Sequence, residues 1–296
     1  MITLWNVFFS IFPRMAFHFP AQDAQTLVRL ALNEDVRTGD VTSLWTLPAR
    51  QTQTATLIAK EAGVIAGLPV IPIVFEELKE NVKIDLNAED GVNVKAGDKI
   101  ASITGETKTL LSGERVMLNF LQQLSGVATI TNKFAQVLAG TKTRVLDTRK
   151  TIPGFRTLQK YAVLVGGGSN HRMGLWDMVL VKDNHIAAAG GVLEAWNAVK
   201  KQNTQNLKVE IEVENLEQLK SLLNLGVNRI MLDNMDNQTM QEAVRIVKES
   251  GDPVELEASG NMTLERVKEI ANLGLDFISV GALTHSVKSL DISMRI

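Results

Sequence analysis

The chain has 296 residues, enough for one large domain or two, and 45% of them are hydrophobic, enough for a sizeable core. Lys and Arg (31) nearly balance Asp and Glu (33), the net charge is -2 and no basic run occurs, which argues against nucleic-acid binding by charge. There is no cysteine, so disulfides, thiolate metal sites and cysteine nucleophiles are excluded.

Residues 1–20, MITLWNVFFSIFPRMAFHFP, are apolar and aromatic. They lack a basic start, Pro13 and Arg14 interrupt them, and no small-residue cleavage site follows. They are also too short to span a bilayer, so a signal peptide or membrane anchor is disfavoured and a cytoplasmic protein is expected. We read them as an arm against a partner subunit, or as sequence upstream of a start at Met15. Gln25 to Asp35 has helical spacing, with Leu27, Leu30 and Ala31 on one face. Arg37 to Ser43 is a turn-rich loop. Thr52 to Lys60 alternates as a strand does, Val64 to Gly67 is a second short strand, Pro69 to Lys79 a helix, and Val82 to Leu86 a further strand. Gly91 to Glu106 has the glycine turns of a β-rich module. A helix is expected from Ser112, as N-cap, to about Leu138, broken or kinked at Ser125-Gly126.

From Arg144 the pattern becomes strand, loop, helix, repeated. Strands are expected at Arg144–Leu146, Met178–Val181, Val209–Val213, Arg229–Leu232, Val254–Glu257 and Phe277–Val280. Helices are expected at Val192–Lys201, Leu216–Leu225, Gln238–Lys248 and Leu264–Leu273, with Gly226, Gly251 and Gly274 as C-cap glycines. Six such units predict an α/β fold, a (β/α) barrel that is incomplete; a doubly wound open sheet is the alternative. The expected division is an arm at 1–20, an α+β domain at 21–115 to which residues from about 285 to 296 return, and a barrel at 116–284.

Polar residues stand at the carboxyl end of nearly every expected strand: Asp147, Lys182, Glu212, Asp233, Ser259-Gly260 and Gly281. That edge is where barrel enzymes build their sites. Glu210, Glu212 and Glu214 alternate with apolar residues and cannot all be buried unpaired, so at least one faces a cation-lined mouth. The densest stretch runs from Asp147 to His185, with Arg149, Lys150, Arg156, Arg172, Lys182, His171 and His185 around Gly166–Gly168. So many cations in a protein of net charge -2 suggest a pocket for a small, strongly anionic substrate.

Each group also has a blander use. Arg149 and Lys150, in the frame Asp147-Thr148-Arg149-Lys150-Thr151, suit a phosphate or carboxylate clamp or a solvated loop. Lys182 suits a Schiff-base nucleophile or a point charge for pyrophosphate; nearby acids favour the point charge. Glu212 and Asp233 suit an acid–base pair, ribose acceptors, a magnesium site or a solvated ion pair. Ser259-Gly260-Asn261 and Gly281-Ala282 read as a phosphate cradle, and Thr284-His285-Ser286 as loop caps or ligand contacts. His185 orients its loop or merely caps it. The three glycines match neither Walker nor Rossmann spacing and equally mark close packing of a loop.

The motifs DTRKT-P-G-R, GGG-NHR-GL-D and K-NH, with SGERVMLNFLQQLSG, EIEVEN, MLDN, EASGN and DFISVGALTHS, resemble the quinolinate phosphoribosyltransferase family from about Arg29 onward. Phe155 replaces a leucine usual in the family. The resemblance implies transfer of phosphoribosyl from 5-phosphoribosyl 1-pyrophosphate to quinolinate with loss of CO2, Mg2+ as cofactor, and a homodimer. It implies that Arg149 and Lys150 contact the dicarboxylate and the donor. It assigns Arg172 to a substrate carboxylate and His171 to substrate orientation. Glu212 and Asp233 would face the ribose and the metal, directly or indirectly, and Arg115 would reach the other subunit's site. A nicotinate-type phosphoribosyltransferase and a phosphosugar lyase using Lys182 are the alternatives.

Overall fold

The computed structural model describes residues 18–48 and 50–296. The arm expected at 1–20 therefore lies almost wholly outside the described residues. The amino-terminal part contains α1 (Ala21–Asp35), α2 (Val41–Thr46), β1 (Thr52–Ala59), β2 (Gly63–Val64), α3 (Val70–Glu77), β3 (Lys83–Leu86), β4 (Asn93–Val94) and β5 (Lys99–Glu106). On β1 the alternation buries Ala55, Leu57 and Ala59 on one face. Asp40, within the expected loop, caps α2 by accepting from the Ser43 amide.

The long helix α4 (Thr107–Val137) follows. It begins before Ser112, with Glu106 at the N-cap position but making no side-chain cap, and runs unbroken through Ser125 and Gly126. These two residues serve packing, not a kink. The Ser125 hydroxyl accepts from the Ala66 amide at 3.0 Å, and a Cβ on Gly126 would lie 2.4 Å from the Lys288 carbonyl oxygen. Only glycine lets the later chain cross the helix there.

The second part contains β6 (Arg144–Leu146), α5 (Arg156–Val165), β7 (Val179–Val181), α6 (Asp183–Ala189), α7 (Val192–Gln202), β8 (Val209–Val213), α8 (Leu216–Leu222), β9 (Arg229–Asp233), α9 (Asn237–Ser250), β10 (Glu255–Ser259), α10 (Leu264–Ile270), β11 (Phe277–Ser279), α11 (Ala282–His285) and β12 (Ile292–Arg295). Of the expected C-cap glycines only Gly251 caps a helix, in the left-handed region; Gly226 and Gly274 turn the chain a few residues later. The sheet is parallel with order β6-β11-β10-β9-β8-β7. This order never reverses, so there is no switch point and the doubly wound alternative falls. The sheet instead curls as a barrel short of closure: β6 and β7 do not pair, and Ser169 bridges to Leu146 beside the gap.

β12 leaves the barrel and pairs antiparallel with β1, as the edge of the sheet β12-β1-β5-β3. The two parts are also joined through Asp90. Its carboxylate accepts from the amides of Gly67 (2.8 Å) and Leu68 (3.0 Å) and from the Tyr161 hydroxyl on α5 (2.5 Å). Burial pushes the Asp90 carboxyl up against these bonds. Tyr161→Phe keeps the ring and its edge contact with Phe19 but deletes that bond. The expected loss is about 1–2 kcal/mol of unfolding free energy, seen as a lower denaturant midpoint at unchanged slope. An unmoved midpoint would mean that Asp90 finds another donor.

Candidate active site

The carboxyl-terminal strand edge collects the expected residues. Asp147 and Thr148 follow β6, Lys182 follows β7, Glu212 lies in β8, Asp233 ends β9, Ser259 ends β10 ahead of Gly260 and Asn261, and Gly281 and Ala282 follow β11. Arg149 and Lys150 are exposed on the loop after β6. The Thr148 hydroxyl accepts from the Lys150 amide at 3.1 Å and shapes that loop. The Asn234 amide donates to the Ser259 carbonyl at 3.0 Å and ties the loop after β9 to the end of β10. Arg115 is not on this edge. It is exposed on α4 and makes no hydrogen bond or ion pair with another described residue.

Asp147 is the buried anchor. It is fully inaccessible and pairs with Lys160 of α5, which is 1% exposed. The same carboxylate oxygen accepts from the His171 amide at 2.9 Å, while Lys160 Nζ donates to the His171 carbonyl at 2.9 Å. Turned to donate, the Asn170 amide reaches the other oxygen at 2.6 Å. Burial lifts the Asp147 carboxyl to about 6 in spite of Lys160, whose attraction is the largest opposing effect. Gly166 seats the loop before it: a Cβ there would lie 2.5 Å from the Ala128 carbonyl oxygen of α4. The glycine run thus packs the loop on a helix.

His171 and Arg172 emerge from this anchor. His171 Nδ1 accepts from the Arg172 amide at 2.7 Å. Its Nε2 lies 2.9 Å from Glu210 and 3.7 Å from Glu257, so both ring nitrogens face protein. Arg172 is 8% exposed; Nη1 donates to the Met178 carbonyl at 3.1 Å, while buried Nε has no partner among the described residues. Burial, and the neighbouring Arg149 charge, lower the Arg172 pKa. A buried guanidinium with an unmatched N–H beside a second arginine is a receptor for an anion. Arg156, expected among the pocket cations, is instead a strap. It donates to the Met173 carbonyl and to the Thr151 hydroxyl, each at 3.0 Å.

Glu212 and Lys182 form an ion pair of 3.1 Å. A lysine held against a carboxylate suits the point-charge use better than the Schiff-base use. Burial raises the Glu212 carboxyl, Lys182 opposes, and the charges of Asp233 and Asp183 add to the rise. A cavity of about 300 Å³ opens beside it, lined by Asp183, Asn184, Glu214 and Gln218. Carboxylate oxygens under mutual repulsion suit a hard divalent cation such as Mg2+, so Glu212 and Asp233 fit such an ion. His185 is settled as a cap: Nδ1 accepts from the Lys182 amide at 3.0 Å. The larger depression, about 530 Å³, is at the opposite strand edge near Lys208 and Asp252.

Beneath the mouth lies a polar layer that sequence reasoning reached only in part. Glu210 and Glu257 are fully buried. Arg229 donates to Glu257 at 3.0 Å and stacks on Phe277, and Ser279 donates to Glu257 at 2.5 Å. The alternating glutamates of β8 flagged Glu210. Glu257, Arg229 and Lys160 carried no such mark; a charged residue between apolar neighbours in a strand was the available signal for the first. His171, Glu210 and Glu257 together resemble a metal ligand set, but Arg229 already supplies the cation. Burial raises both glutamate carboxyls, to about 7. The folded chain therefore keeps protons that the unfolded chain releases above 4.5. Their stabilising effect is complete below that pH and lost as pH rises through about 7. Glu257→Gln removes one such group. Its stability relative to the parent is expected to improve between pH 4.5 and about 7, by roughly 1–3 kcal/mol, in melts taken across the range. A difference flat with pH would show that Glu257 ionises normally.

Two family models match the chain: "Quinolinate phosphoribosyl transferase, N-terminal domain" over residues 40–125 and "Quinolinate phosphoribosyl transferase, C-terminal domain" over 127–295. The chain is 43% identical over 296 aligned positions to a chloroplastic nicotinate-nucleotide pyrophosphorylase (carboxylating) of Arabidopsis thaliana, covering 94% of this chain and 84% of that one. It is 43% identical to a probable nicotinate-nucleotide pyrophosphorylase (carboxylating) of Bacillus subtilis, covering 89% and 90%. The solved nicotinate-nucleotide pyrophosphorylase of Francisella tularensis superposes with a TM-score of 0.89 at 40% identity, covering 96% of this chain and 99% of that one.

Proposed function

Since the chain belongs to the quinolinate phosphoribosyltransferase family, we propose that it joins quinolinate to 5-phosphoribosyl 1-pyrophosphate with decarboxylation, giving nicotinate mononucleotide, pyrophosphate and CO2 in NAD biosynthesis. The observation that carries this reading is Arg172, buried with an unmatched N–H beside Arg149: a seat for a ligand carboxylate.

The reaction breaks the bond from C1′ to pyrophosphate and forms one from C1′ to the pyridine nitrogen. Positive charge grows at C1′ and negative charge on the leaving group. Lys150 and Lys182 oppose the latter, and Glu212 and Asp233 hold the ribose hydroxyls. Mg2+, held by Glu212 and Asp233 directly or through water, would neutralise pyrophosphate charge. Ser259, Gly260, Asn261, Gly281 and Ala282 cradle the 5′-phosphate. Arg149 and Arg172 place the two carboxylates, largely a positioning effect, and His171 acts by fixing the Arg172 backbone. Once alkylated, the ring nitrogen is cationic. The ring then accepts the electron pair of the C–CO2 bond, CO2 leaves, and that carbon takes a proton from solvent. No organic cofactor is needed.

We read the working unit as a homodimer in the cytoplasm, with Arg115 completing the partner's site. The unpaired, exposed state of Arg115 supports the first point. No described helix is long and apolar enough to cross a membrane.

Incubation with quinolinate, the phosphoribosyl donor and Mg2+ is expected to release CO2 and nucleotide together, while nicotinate gives neither. Nucleotide without CO2, or turnover of nicotinate alone, would overturn the acceptor. Arg172→Ala is expected to raise the KM for quinolinate by about tenfold to a hundredfold, with the donor KM little changed. Equal losses would contradict the assignment. Arg115→Ala and Lys182→Ala should each be nearly inactive alone. Co-refolded in equal amounts they should regain about a quarter of parental activity, because half the dimers are mixed and each has one intact site. No recovery would place Arg115 outside the shared site.

A further inference from the structure

Lys150 and the Gly281 turn come from β6 and β11, neighbours in the sheet but far apart in sequence. Lys150 leans on that turn so closely that a Cβ on Gly281 would lie 3.2 Å from Lys150 Cδ. Two buried side chains below the mouth fasten these loops to each other. The Thr284 hydroxyl donates to the Lys150 carbonyl at 2.7 Å and lies 3.3 Å from the Gly281 carbonyl. Gln159 accepts from the Ile152 amide at 2.8 Å and donates to the Thr284 carbonyl at 2.8 Å. Thr284 is 1% exposed and Gln159 fully buried, so neither is free to reach a ligand. The Arg172 side of the pocket is held by separate bonds, through Asp147, Lys160 and Met178.

We propose that Thr284 and Gln159 are positioning residues for the phosphoribosyl donor: they hold the Lys150 loop in register with the Gly281 turn, and so set the spacing between a cation and the phosphate cradle. The inference rests on the donor-site reading of Lys150 and Gly281 given above. Its physical basis is that a buried carbonyl keeps its place while its donor remains, and a long cation on a loose loop loses affinity through disorder. Arg172 keeps its own fastening through Asp147, Lys160 and Met178, whereas Arg149 shares the Lys150 loop, so the acceptor side is affected less than the donor side.

Thr284→Val keeps volume and branching and removes the hydroxyl; Thr284→Ser keeps the hydroxyl. Gln159→Met is the second variant, used also if Thr284→Val does not fold. Binding of 5-phosphoribosyl 1-pyrophosphate and of quinolinate would be measured by calorimetry, with steady-state KM values and melting curves alongside. The expected result is donor Kd and KM weakened about tenfold or more in Thr284→Val and Gln159→Met, quinolinate weakened several-fold less than the donor through Arg149, and Thr284→Ser near the parent. Unchanged donor affinity in the folded variants would overturn the proposal. So would equal losses for both substrates, with serine no better than valine, because that is a merely structural role. A parent protein that binds the donor without turnover would sink the reaction assignment, and the binding split would still decide this inference. A parent that does not bind the donor would overturn both.

Discussion

The Asp147–Lys160 ion pair is the constraint on which the site depends. Two opposite charges removed from water cost several kcal/mol each on the order of magnitude usual for such burial. The cost is offset here because the pair is saturated: the carboxylate also takes the His171 amide and the Asn170 side chain, and the ammonium also takes the His171 carbonyl. Three pieces of chain, the end of β6, the helix α5 and the loop carrying Arg172, thereby share one fixed point. Remove one partner and the other becomes an uncompensated buried charge. The residues that meet a ligand stand on this point without forming it.

The same logic runs one layer deeper. Barrel interiors are ordinarily filled by branched apolar side chains. Here β9, β10 and β11 supply Arg229, Glu257 and Ser279 as a bonded group, and β8 sets Glu210 beside them against the His171 ring. That choice spends stability. It also surrounds His171, and through its ring the Arg172 backbone, with rigid polar neighbours. Arg172 is thereby oriented before any ligand arrives, and a side chain that need not reorient spares the cost of ordering it on binding.

Much of this was legible in the sequence, for reasons of period and position. Six short apolar runs alternating with amphipathic ones specify parallel βα units, and a polar residue after each run marks the working edge whatever the chemistry. What stayed hidden was pairing through space. Lys160 sits in a plain helical run and Asp147 in a motif, and nothing in their spacing says that they touch. Gln159 looks like an ordinary helix residue, and Thr284, read as a loop cap or a ligand contact, shows its use only once the fold puts both between β6 and β11. Local rules also misled where tertiary packing overrode them. Ser125-Gly126 reads as a helix break, yet it is where another segment crosses α4. Ser112 reads as a cap, yet the helix has already begun at Thr107.

The pairing of β12 with β1 has a consequence for how the molecule is made. Thr56 is registered against Arg295, so the amino-terminal sheet has an open edge until nearly the whole described chain has been synthesised. During translation β1, paired with β5 on one side, keeps its other edge open while the barrel units emerge behind it. From β7 to β11 the barrel strands pair in order of synthesis, while β6 waits for β11. The domain that comes first in sequence is completed last, when β12 closes the open edge of β1.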